Sequence, residues 1–268
     1  MGTRTVRYGT APDQFLELTL PGGGPAPGAG LPVAVVLHGG FWRAAFGVEL
    51  ARPLAADLAA AGWAAVAVEY RRVGAGGGWP ETLLDVAAAL DVLPDLLEAD
   101  RLDLADVTVI GHSAGGHLAA WAAARDRLPD GAPGARPRVR AAAAVLQAGV
   151  LDLVLAAEQQ LGGGAVRAFL GAGPDTAPER WASADPVRLL PTGAAVLCVH
   201  GAADVVVPVQ QSERYGAAAT AAGDAVEVRV LSGDHMALID PLGPEWQLVR
   251  NWLGDRRTRS VKRITLHT

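Results

Sequence analysis

The feature that most constrains this chain is a repeated alternation of short, unbroken apolar runs with stretches of helical spacing. Residues 33–37 (VAVVL), 64–69, 107–110, 141–147 and 194–199 are runs of this kind, rich in Val and Ala and too short for buried helices. A strand that is apolar at every position is covered on both faces, the condition of a parallel sheet with crossover helices. Segments 50–61, 81–97, 114–125, 210–222 and 245–253 supply those helices, with Pro94 kinking or ending the second. A further strand is read at 226–231, and residues 14–20 (QFLELTL) alternate with period two, as a half-buried strand does. Strand followed by helix throughout predicts the α/β class: a doubly wound, mostly parallel sheet with helices on both faces. Its ligands are expected beyond the carboxyl ends of the strands.

Half of the 268 residues are apolar and 19% are charged, enough for one large core. We read residues 1–254 as a single domain. The stretch 149–191 is longer than a plain crossover, which predicts one or two helices and a partial lid over a site. Residues 255–268 hold Arg256, Arg257, Arg259, Lys262 and Arg263 and read as a solvated, frayed basic tail. Without them the chain has 18 basic against 27 acidic residues, a balance that disfavours nucleic acid as a partner. No apolar stretch reaches the roughly 18 residues of a membrane span, and the first 13 residues lack the core of a signal peptide, so a soluble, cytoplasmic protein without a membrane partner is expected. The single cysteine, Cys198, lies in an apolar run and is expected to be a buried, inert thiol.

Chemistry concentrates at four strand ends. Gly111-His112-Ser113-Ala114-Gly115-Gly116 stands between the strand at 107–110 and the helix at 114–125, a G-x-S-x-G pattern in its proper context. A sharp turn there holds Ser113 in strained backbone with its hydroxyl presented, and the helix start aims N–H groups at developing negative charge. A serine needs a base, and in this strand order an acid precedes the base. Asp204 follows the strand ending in Val199-His200-Gly201, and His235 follows the strand ending at Leu231. His235 would take the Ser113 proton, and Asp204 would fix the imidazole tautomer. Asp234, Asp152 and Asp185 are competing acids. His117 lies one helical turn beyond Ser113 and is read as structural, as are the strand-end histidines His38, His112 and His200. No Cys/His cluster or H-E-x-x-H pattern offers a metal site.

The fourth strand end is His38-Gly39-Gly40-Phe41-Trp42. Its glycines let backbone approach a reacting carbonyl, so the N–H groups of Gly40 and Phe41 can join that of Ala114 as oxyanion donors. HGGFW, GHSAGG and the spaced HGAAD and GDH together resemble the α/β-hydrolase superfamily over nearly the whole body of the chain. Within it the aromatic after two glycines resembles the branch of kynurenine formamidases and small carboxylesterases. Phe41 stands where the hormone-sensitive-lipase branch has a third glycine, a departure from that pattern. The resemblance implies a Ser-His-Asp hydrolase of small esters or amides that works without a cofactor.

Trp42 and Trp79 fall on the same edge and are candidate pocket walls, for which core packing is the alternative. Trp181 falls in the lid. Arg71 and Arg72 are candidates for a substrate carboxylate, with surface solvation as the competing reading. An apolar or aromatic group of modest size is the expected substrate feature. Alternatives on the same fold are an exopeptidase-like or lactone hydrolase, and from another class a ligand-binding relative without catalysis.

Overall fold

A computed structural model describes residues 2–23 and 30–265, and only the backbone of 259–265. Most of the Gly/Pro loop expected at 21–30, and His267, lie outside the described residues. In chain order the elements are β1 (Thr3–Arg7), β2 (Phe15–Thr19), β3 (Leu31–Leu37), α1 (Arg52–Ala60), β4 (Ala64–Val68), α2 (Glu81–Asp91), β5 (Leu102–His112), α3 (Ala114–Ala123) and β6 (Ala143–Gln147). After them come α4 (Leu153–Glu158), α5 (Leu161–Leu170), α6 (Pro178–Ala184), β7 (Ala195–Gly201), α7 (Gln210–Ala222), β8 (Val226–Leu231) and α8 (Pro244–Thr265).

Eight strands form one sheet in the order β1-β2-β4-β3-β5-β6-β7-β8. Only β1 with β2 and β2 with β4 pair antiparallel; every other pairing is parallel. The chain winds from β3 outward to β4, then crosses back to lay β5 on the other side of β3. The β3/β5 boundary is therefore the switch point of the sheet, where crossovers diverge and leave a crevice at the carboxyl ends. HGGFW leaves β3 and GHSAGG leaves β5, so the winding alone brings the two motifs together.

Alternate residues of each central strand feed two cores. Val33, Val35, Leu37, Val66, Val68, Val107 and Val109 pack with Leu83, Val86 and Leu90 of α2, Leu118 and Trp121 of α3, and Tyr215 of α7. Ala34, Val36, Ala65, Ala67, Ile110 and Val145 pack with Leu54 and Leu58 of α1 and with Trp246, Val249 and Leu253 of α8. Cys198 is buried as expected, and burial pushes its thiol up to about 12.

Three features differ from the expectation. β1 is an added edge strand whose sequence, TRTVR, has no apolar pattern and leaves three of its five residues exposed, as an edge strand tolerates. The segment at 149–191 holds three helices rather than one or two. The last helix does not stop at Leu253 but runs on to Thr265, so the expected tail is helical over most of its length. Arg256 hydrogen-bonds Asp106 and, at 3.2 Å, Thr108 Oγ1, while the Arg257 guanidinium lies 5.3 Å over the Trp63 ring. These contacts extend the helix past Gly254, a residue that costs about 1 kcal/mol relative to Ala in a helix interior. Among the described residues no helix is long and apolar enough to cross a membrane.

Candidate active site

Ser113 sits between β5 and α3 with φ 57° and ψ −120°, a backbone region that a residue with a side chain occupies only when its surroundings compel it. The compulsion is visible. Ser113 N–H donates to the Gln147 carbonyl at the end of β6 (2.8 Å), and the Ser113 carbonyl accepts from His117 (3.1 Å) and Val150 (3.3 Å). All ten residues of α3 are buried, and its start is pressed onto β3: a Cβ on Gly115 would overlap the carbonyls of Leu37 and His38.

The HGGFW loop meets this turn face to face. A Cβ on Gly39 would lie 2.9 Å from the His112 carbonyl and 3.1 Å from Ser113 Cβ, so glycine alone lets the loop approach the serine this closely. Gly40, Phe41 and Trp42 then take φ of 110°, 51° and 56°, three successive left-handed residues. For Phe41 and Trp42 that conformation costs on the order of 1–3 kcal/mol each. Such a succession turns neighbouring N–H groups into one concavity suited to an anion. The loop is fastened by Arg43 N–H to the Gly40 carbonyl (3.0 Å) and Val73 N–H to the Trp42 carbonyl (2.8 Å).

Below the loop lies a buried network that the sequence reading did not single out. His38 Nε2 meets Glu69 Oε1 at 2.9 Å and its ring stacks on Tyr70, whose hydroxyl donates to the His38 carbonyl (2.7 Å). Glu69 also accepts from the backbone of Val48 and Tyr70 and pairs with Arg72 at 3.0 Å. Burial works to raise the Glu69 carboxyl, and its bonds from His38 and the backbone overcome this and hold it below the usual range. The only sequence signal was an acidic residue closing an otherwise apolar strand.

Asp204 and His235 are brought together by β7 and β8. Asp204 Oδ2 lies 2.6 Å from His235 Nδ1, so that nitrogen carries the ring proton and Nε2 is left as the acceptor. The carboxylate also accepts from the backbone of Val206 (2.8 Å) and Val207 (2.9 Å), and His200 Nε2 stands 3.4 Å away. Burial alone would raise its pKa; the bonds from His200, His235 and the two backbone groups prevail and hold it far below the carboxylate range. The anion is thus fixed in place and in charge. His112, next to Ser113, braces His235: its Nε2–H donates to the His235 carbonyl (2.8 Å) and the two rings lie 4.4 Å apart. Burial, with the neighbouring His235, lowers His112 to about 3, so its ring is neutral. Among the described residues neither Ser113 Oγ nor His235 Nε2 has a hydrogen-bond partner; Ser113 and His235 are linked through His112.

The competing acids are spoken for. Asp234 Oδ1 accepts from its own backbone at Met236 and Ala237. Asp152 caps α4 through Leu155 N–H and pairs with Arg214, and Asp185 accepts from Leu153 N–H. Of the candidate pocket residues, Trp42 is fully buried, its ring stacked on Phe169 at 4.7 Å; it is a core residue, because its left-handed backbone turns the indole under the loop. Phe41 is half-buried and its ring lies where a Cβ on Gly162 of the lid would be. Trp79 is half-buried beneath the Arg180 guanidinium (4.6 Å), and Trp181 is buried. Arg71 grips Asp85 with two bonds, and Arg72 pairs with Asp13 and Glu69, so both are framework residues rather than substrate contacts.

The BD-FAE family profile matches residues 17–218. The chain is 31% identical over 189 residues to the "Probable carboxylic ester hydrolase LipM" of Mycobacterium tuberculosis, an alignment covering 69% of this chain and 44% of that protein. It spans about half the length of the curated relatives it matches. Among solved structures, a truncated carbohydrate esterase from gut microbiota superposes with a TM-score of 0.80 at 20% identity, over 96% of this chain and 97% of that one. Esterase B of Lactobacillus rhamnosis superposes with a TM-score of 0.78 at 19% identity, over 97% and 88%. Identities this low carry the fold and nothing finer. With the sheet order, the strained serine turn and the family match taken together, the chain belongs to the BD-FAE family and has the α/β-hydrolase fold.

Proposed function

We propose that this protein is a serine hydrolase that cleaves small carboxylic esters or aryl formamides through an acyl-enzyme. Ser113 Oγ attacks the carbonyl carbon as His235 Nε2 takes its proton, and Asp204 stabilises the resulting imidazolium. The carbonyl oxygen becomes an anion held by the N–H groups of Gly40, Phe41 and Ala114. Collapse breaks the bond to the leaving group, which departs with the proton from His235. Water then attacks the acyl-serine by the same route in reverse, releasing the acid and the free hydroxyl. Every step is supplied by side chains and backbone of this chain.

The observation that carries the reading is the 2.6 Å Asp204–His235 pair, with His235 tied through His112 to a serine held at positive φ. The curated relatives' esterase names support it. The test is labelling with a fluorophosphonate and hydrolysis of p-nitrophenyl acetate by the wild type and by Ser113→Ala. Both signals are expected to vanish together in the variant, with stability within about 1 kcal/mol of wild type, since the Ser113 hydroxyl has no hydrogen-bond partner among the described residues to lose. Labelling that survives the substitution refutes the nucleophile.

A further inference from the structure

His117 is the fourth residue of α3, fully buried, and takes no part in the chemistry proposed above. Both of its ring nitrogens are nonetheless engaged, each by a different part of the site. Trp42 Nε1 stands 3.2 Å from His117 Nδ1, and an indole N–H can only donate, so Nδ1 is unprotonated. The ring proton is therefore on Nε2, which donates to the Ala184 carbonyl at the end of α6 (2.9 Å). The ring also meets Trp42 edge to face at 5.1 Å and Phe169 of α5 at 5.5 Å. Burial lowers its pKa to about 4 against the opposing pull of the Ala184 carbonyl, so the ring stays neutral and its tautomer fixed.

We infer that His117 is a positioning residue: through Nδ1 it holds Trp42, and with it the left-handed run 40–42, in register with Ser113 and Ala114 on its own helix. Relaxing Trp42 to negative φ would turn the neighbouring peptide units and disperse the N–H concavity. Nothing else in the loop's side-chain bonding reaches α3, because Arg43 bonds to Gly162 of the lid instead. Nε2 ties α6 to the same ring, so the loop, the nucleophile's helix and the lid share one anchor. This inference rests on the oxyanion reading proposed above. An oxyanion exists only on the way through the transition state, so loosening the loop lowers kcat and kcat/KM together and leaves KM alone.

The experiment compares His117→Leu, His117→Asn, His117→Gln, Trp42→Phe and the Trp42→Phe/His117→Leu pair on p-nitrophenyl acetate, with melting temperatures recorded alongside. Trp42→Phe keeps an aromatic ring but removes the N–H together with part of the buried indole, so its kinetics are read on protein whose melting temperature shows it folded. Expected are at least tenfold losses in kcat for Trp42→Phe and His117→Leu with KM within about twofold, and no further loss in the pair, as for two ends of one interaction. Asn, whose amide oxygen can stand where Nδ1 does, is expected to restore more activity than Gln, which reaches towards Ala184 instead. Wild-type kcat in a folded Trp42→Phe, additive losses in the pair, or a change confined to KM would overturn the positioning role. A wild-type chain that neither takes the fluorophosphonate nor turns over the ester would overturn the hydrolase reading and this inference with it; an active wild type beside an undiminished Trp42→Phe overturns this inference alone.

Discussion

Asp234 adjoins the proposed base in sequence and Asp204 stands 31 residues before it, and their partners separate them. Asp204 receives the His235 ring, whereas Asp234 spends Oδ1 on two backbone N–H groups that shape the turn. Asp204→Asn is therefore expected to lower kcat by on the order of 10³ to 10⁴, because the amide no longer selects the reactive tautomer or stabilises the imidazolium. Asp234→Asn keeps an acceptor oxygen for the turn and should cost far less. Steady-state kinetics on one ester ranks the two, and the reverse ranking would mean that Asp234 is the acid. Ser113, Asp204 and His235 were legible in the sequence because each lies immediately after a strand, where chain order fixes position. His112 and His38 were read as framework residues without their partners, since His235 and Glu69 are 123 and 31 residues away from them.

At the scale of elements, the segment proposed as a lid carries a buried carboxylate. α6 ends on the Asp185 carboxylate, which is buried and accepts from the start of α4 through Leu153 N–H. Burial, reinforced by nearby Asp152 and only partly offset by the Leu153 bond, raises its pKa to about 7. A carboxyl raised in the folded state binds a proton there that the unfolded chain has already released between about pH 4 and pH 7. Stability linked to Asp185 therefore falls as pH rises through that window and levels off above it. Asp185→Asn keeps the acceptor without the charge, so it is expected to stabilise the protein relative to wild type at pH 8, by on the order of 2 kcal/mol, and to make little difference at pH 5. Thermal denaturation of both proteins at the two pH values checks this, and an equal gap at both would remove charge as the cause. The sequence singled out residues 149–191 by length alone; the three helices and the buried carboxylate there depend on contacts that no local pattern encodes.

Across the whole molecule, the lid is seated directly on the HGGFW loop. Phe41 fills the space beside Gly162, Trp42 stacks on Phe169, and Arg43 bonds the Gly162 carbonyl. The half-buried Phe41 ring thereby narrows the oxyanion side of the proposed site, which favours short acyl groups. Acetyl and butyryl p-nitrophenyl esters are expected to exceed a 16-carbon ester at least tenfold in kcat/KM, a difference of about 1.4 kcal/mol in transition-state binding. A chain-length series measures it, and a preference for long chains would refute the short-acyl reading. N-formylkynurenine assayed beside the best ester separates formamide from ester hydrolysis, and no turnover of it leaves the carboxylesterase reading standing.

What the sequence determined by itself was whatever depends on near neighbours. Runs of Val and Ala dictate strands covered on both faces, alternation with helices dictates the doubly wound sheet, and strand-end motifs point to the proposed serine, acid and base. Tertiary structure alone decided what depends on distant partners. β1 exists because β2 offers it an edge, and α8 continues because Asp106 and Trp63 hold Arg256 and Arg257. Trp42 turned from pocket wall to buried anchor because His117 and Phe169, 75 and 127 residues further on, meet it under the loop. A side chain's environment is set by the elements packed against it, and in a wound sheet those elements come from far along the chain.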